Sequence, residues 1–87
     1  MLKISRLEPV NHSTTLRLEG SLVGPWVEEL EHLCAPLVSD GTQLKLELGE
    51  VSFVDDKGVA LLASLRSHGT KLLNATPFLA EQLKFVR

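Results

Sequence analysis

The stretch "LKLELGEVSFVDDKGVALLASL", residues 44 to 65, changes hydrophobic period at its centre. Leu44, Leu46 and Leu48 alternate with Lys45 and Glu47, so one face of a strand is buried and the other is partly wet. The apolar run Val51, Phe53 and Val54 then leads straight into Asp55-Asp56, after which Val59, Leu61, Leu62 and Leu65 recur at helical spacing among small residues. A strand that passes directly into an amphipathic helix must return to its sheet by a crossover, which commits the chain to an α/β arrangement. With 87 residues and 44% hydrophobic composition, there is enough apolar surface for one core, and one domain spanning residues 1–87 is expected.

The flanking segments extend this pattern. "LKISRLE" alternates weakly and "STTLRLEG" clearly, with Leu16 and Leu18 on one side and Thr15, Arg17 and Glu19 on the other. The turn-forming "EPVNHS" between them predicts an antiparallel hairpin. From Pro25 the period lengthens, and Trp26, Val27, Leu30, Leu33, Cys34 and Leu37 form the apolar stripe of a helix. Pro25 suits its first position, and Pro36 is expected to bend or end it. Gly69 stands where a helix that begins at one of the aspartates would end. "TKLLN" reads as a short strand. Thr76 and Pro77 then open a last helix carrying Phe78, Leu79, Leu83 and Val86 on or near one face. The predicted order is β-β-α-β-α-β-α, a mixed sheet with the later helices on one face because crossovers are right-handed.

Charge and composition narrow the function classes. Nine basic residues are scattered through the chain and the net charge is −2, so no basic stripe follows a phosphate backbone, and nucleic acid is not an expected partner. No apolar run reaches the roughly 18 to 20 residues that span a bilayer, and the start lacks an apolar leader segment. One cysteine leaves no internal disulfide, and a cytoplasmic protein is the expectation. Cys34 falls on the apolar stripe of the first helix and reads as a buried structural thiol. His12, His32 and His68 lack metal-ligand spacing, and no triad or phosphate loop is present, so neither a metal, a cofactor nor an enzymatic activity is expected.

Asp55-Asp56 is the remaining polar feature. An aspartate at a helix start accepts free backbone N–H groups and meets the positive end of the helix dipole. That accounts for one of the two. A catalytic pair needs carboxylates aimed at one point from roughly 5 to 9.5 Å apart, which sequence neighbours rarely achieve. Divalent metals want several converging oxygens, and Glu47, Glu50 and Ser52 do not match a calcium-loop spacing. A receiver-type phosphoacceptor aspartate would need an early acidic cluster, whereas the first segment offers only Glu8.

The element order, with "LRLEGSL", the long central stretch and "LLNATPFLAEQL", resembles a STAS domain, the module of anti-sigma factor antagonists, over nearly the whole chain. The family's loop reads an apolar pair, Asp, Ser or Thr, a small polar residue, Gly and an apolar helix, and residues 53 to 59 match that frame without a gap. The resemblance places Asp55 at the family's aspartate, Gly58 at its glycine and Asp56 at the phospho-acceptor-equivalent position, the serine or threonine that a partner kinase modifies. Aspartate has no hydroxyl to esterify. Phosphorylation adds about −1.5 to −2 charge and three acceptor oxygens, so Asp56 is a partial mimic at most, and a switch frozen in one position is expected. Lys57, which replaces the small polar residue, is expected to pair with an aspartate.

The resemblance implies a non-enzymatic module whose partner-binding surface comprises Asp55, Asp56, Lys57, Gly58, Ala60, Ala63 and Ser64. The implied partner is an anti-sigma factor of the serine-kinase-like ATPase type. The alternative is the ATPase of a membrane transport assembly, such as a phospholipid-trafficking ABC transporter, in which short STAS subunits serve without phosphorylation. The family commonly adds a strand and helix after the third helix. Their absence from this sequence implies an open sheet edge and, through it, a homodimer.

Overall fold

The computed structural model describes residues 1–7 and 12–84. Two strands, β1 (Leu2–Arg6) and β2 (Ser13–Leu22), pair antiparallel, with Ile4 opposite Leu18. Of the turn predicted between them, residues 8–11 lie outside the described residues. Helix α1 (Pro25–Ser39) carries the chain back to β3 (Gln43–Val54), which runs parallel to β2. Helix α2 (Asp56–Ser67) leads to the short β4 (Lys71–Leu73), parallel to β3, and α3 (Pro77–Lys84) follows. The sheet order is β1-β2-β3-β4, and the element order and mixed sheet are those the sequence predicts.

The three helices lie side by side, α1 against α2 and α2 against α3, over one face of the sheet. Leu16, Leu18 and Leu22 of β2 and Leu44, Leu46 and Leu48 of β3 are buried beneath them. Val27, Leu30 and Cys34 of α1, Val59, Leu62 and Leu65 of α2, and Leu79 and Leu83 of α3 close the same cluster. Trp26 packs against its edge. No helix among the described residues is long and apolar enough to cross a membrane.

Pro36 does not end α1, which runs on to Ser39. The proline removes only its own N–H, while its carbonyl still accepts the N–H of Asp40 at 3.0 Å. Leu37 and Val38 pack against the core and hold the last turn in place. Leu33 and Phe78, both assigned to apolar helix faces from their spacing, are exposed instead. Val86 lies outside the described residues.

The largest departure from simple alternation is in β3. Arg17 pairs with Glu47, Glu19 with Glu50, and Ser21 with Phe53, so β3 gains a residue on β2 at two points. Such bulges turn the following side chains to the other face. The buried series is therefore Leu44, Leu46, Leu48, Val51 and Val54, and Phe53 is left 53% exposed. The first bulge is braced by Glu47, whose carboxylate accepts the Gly49 N–H at 3.0 Å and the Asn74 side-chain amide at 2.7 Å. At the second, the Ser52 hydroxyl donates to the Gly20 carbonyl at 3.2 Å.

Candidate functional site

The bulged end of β3 and the end of β2 finish side by side, and a helix starts from each. The carboxyl ends of parallel strands are where open α/β sheets place their sites. The Asp55 N–H donates to the Leu22 carbonyl at 3.2 Å, which continues the ladder up to the turn. Asp55 then adopts extended backbone as the N-cap of α2, and its Oδ1 accepts the Gly58 N–H at 2.8 Å. Its Oδ2 accepts the Gly24 N–H at 2.9 Å, and Gly24 is the N-cap residue of α1. One carboxylate thus ties together the starts of two helices.

Gly24 has no side chain to cap α1 and holds φ +52°, ψ −127°, a conformation that a residue with a Cβ adopts only under strain. The bonds from Gly24 and then Gly58, followed by the Lys57 charge, hold the Asp55 carboxyl below the ordinary carboxylate range. Capping by one aspartate was legible in the sequence. The second contact, 31 residues away, was not, although "VGPW" marks a glycine poised before a helix start.

Asp56 occupies the first position of α2, is exposed, and accepts no hydrogen bond from any described residue. Lys57 is also exposed, and the ion pair expected with an aspartate does not form: the pair present among the described residues is Lys84–Glu81 at 3.3 Å. An exposed lysine gains too little from such a pair to be held in one rotamer. Gly58 and Ala63 are buried, which corrects the picture of both as small residues on an open surface. A Cβ on Gly58 would sit 2.8 Å from the Leu22 carbonyl and 2.6 Å from Val54 Cγ1, so the closeness it permits is between α2 and the sheet. Ala60 and Ser64 do face outward and, with Lys57, line one wall of a shallow groove whose other wall is Val27, Glu28 and Glu31 of α1.

Among the described residues no cluster of three His, Cys, Asp or Glu side chains could hold a metal ion. Cys34 is fully buried, and burial pushes its thiol up to about 11. The site is a hydrogen-bonded corner presenting one exposed carboxylate beside a groove.

No protein-family model matches the sequence, and no curated protein does. Solved structures do match it. The structure of the anti-sigma factor antagonist SpoIIAA in its unphosphorylated form superposes with a TM-score of 0.80 at 21% identity, covering 95% of this chain and 83% of that one. Superposition over that length, with the same mixed sheet and helices, identifies the architecture that the loop and element order resembled, and the chain has the STAS fold of SpoIIAA.

Proposed function

We propose that the chain is a non-enzymatic binding module that docks a regulatory protein through Asp56, Lys57 and the outward side of α2 at Ala60 and Ser64. The observation that carries this reading is the division of labour between the adjacent aspartates. Asp55 is fully occupied in joining the starts of α1 and α2, whereas the Asp56 carboxylate is exposed and unpartnered among the described residues. A corner braced by two backbone hydrogen bonds and carrying a free charge suits recognition, because bracing lowers the ordering cost of binding.

The partner is an anti-sigma factor of the serine-kinase-like ATPase type, as the likeness to an anti-sigma factor antagonist suggests. With aspartate at residue 56 there is no hydroxyl to modify, so the partner is held without a phosphorylation switch at that position. Affinity capture from the native cell with the wild-type chain and with Asp56→Arg tests the proposal. A serine-kinase-like ATPase retained by the first and lost by the second is the expected result. Capture of an ABC-type ATPase would assign the chain to a transport assembly instead, and equal retention by both chains would remove Asp56 from the interface.

A further inference from the structure

β1 is an edge strand, and among the described residues nothing pairs with its outer side. The Met1 carbonyl accepts the Ser21 N–H and the Leu7 N–H donates to the Thr15 carbonyl, so the odd-numbered residues of β1 bond to β2. Antiparallel alternation therefore turns the N–H and C=O groups of Leu2, Ile4 and Arg6 outward. Beside this edge an apolar groove runs between β1 and α1, lined by Ile4, Leu33 and Leu37 with Arg6 at its end. Leu33 stands in its wall 46% exposed. A free strand edge beside an apolar groove is a surface that pairs with another strand.

One pair of charges beside it, Arg6 and Glu29, is self-complementary. α1 starts beside the end of β2 and finishes where β3 pairs with the start of β2, so it runs in the same direction as β1. Glu29, exposed near the start of α1 and adjoining Leu33, thus lies toward the Leu2 end of β1, and Arg6 lies at the opposite end. When two such edges meet antiparallel about Ile4, Arg6 of each copy arrives opposite Leu2 of the other, at the end toward which that copy's Glu29 lies. The other sheet edge lacks this property. β4 has three residues, and Arg66 and Lys71 flank it, so a second copy there would bring like charges together.

We infer that the β1–α1 face binds a second copy of this chain across a two-fold axis, with β1 pairing to β1 in a continuous sheet and Leu33 covered by the opposing α1. Such an interface uses the same patch on both copies and closes at the dimer. It leaves the Asp56 corner open, on the α2 side of α1.

Sedimentation of the full chain over a concentration series tests this. The expected result is a monomer–dimer equilibrium whose dissociation constant rises about tenfold or more in Leu33→Glu and in Arg6→Glu, and returns close to wild type when Arg6→Glu is combined with Glu29→Arg. Circular dichroism establishes that each variant is folded, which the exposure of all three side chains favours. Ile4→Cys reads the register: the central pair in an antiparallel ladder brings Cα atoms to about 5.5 Å, within disulfide reach, so mild oxidation should link the copies. A monomer at every concentration, a dimer unaffected by Leu33→Glu and Arg6→Glu, or an Ile4→Cys chain that does not cross-link would each overturn the inference.

Discussion

The Asp55 carboxylate accepts the Gly24 N–H at 2.9 Å and the Gly58 N–H at 2.8 Å, so the helices following β2 and β3 start from one shared anion. Helix starts carry unsatisfied donors and partial positive charge, and a single carboxylate between them answers both needs. Loss of Asp55 should therefore loosen two elements together. Asp55→Ala is expected to cost about 1 to 2 kcal/mol in chemical denaturation. Asp55→Asn should keep the α2 cap but turn an amide donor toward Gly24, giving a smaller loss and faster amide exchange at Gly24 than at Gly58. Equal protection of both amides in Asp55→Asn would contradict the bridge.

The pH dependence follows from the same contact. The folded state holds the Asp55 carboxyl below its ordinary value of 3.8, so folding favours the charged form. Its contribution is fully present above that value and is lost as the pH falls through the lower folded-state value. The stability difference between wild type and Asp55→Asn should be constant from neutral pH to about pH 5 and shrink below the ordinary value. A gap that widens on acidification would show the shift to have the opposite sign.

Gly58→Ala is expected to destabilise, by about 1 to 3 kcal/mol in thermal or chemical unfolding, even though alanine is the better helix former. The added methyl meets the Leu22 carbonyl and Val54, and backbone does not give way cheaply. Stabilisation by this substitution would mean that α2 sits further from the sheet.

The bulge phase of β3 can be checked by a pair of substitutions. Phe53→Ser should change stability by less than about 0.5 kcal/mol, because its ring is exposed. Val54→Ala should cost about 1 to 3 kcal/mol, because Val54 is 3% exposed. The reverse order would place Phe53 in the core.

Cys34 should resist alkylation in the folded protein and react at the rate of an ordinary thiol once unfolded. Burial both excludes reagent and pushes the thiol up to about 11, leaving little thiolate at neutral pH. Rapid labelling of the native chain would contradict this.

The elements were legible because each carries its period: Leu44, Leu46 and Leu48 announce β3, and Val59, Leu62 and Leu65 announce α2. The caps were legible too, since Asp55 and Thr76 act through amides three residues on, and Thr76 Oγ1 accepts the Leu79 N–H at 3.2 Å. Three kinds of feature were hidden. The bulges were one: Gly49, a glycine inside the strand pattern, marks the first, but only pairing with β2 shows that Val51 and Val54 continue the buried row while Phe53 leaves it. The Gly24–Asp55 bond joins residues whose proximity exists only after the crossover has formed. Pro36 reads as a stop until the packing of Leu37 and Val38 is seen to outweigh one lost hydrogen bond. The resemblance in the loop located Asp56, but its exposure beside a fully engaged Asp55 is a property of the folded corner.

The measurement that bears most directly on the frozen switch is release of the captured ATPase on adding ATP. The proposal predicts that the wild-type chain stays bound and unmodified, while Asp56→Ser is phosphorylated at residue 56 and let go. Phosphorylation of the wild-type chain at another residue, Ser52 for instance, followed by its release, would contradict it.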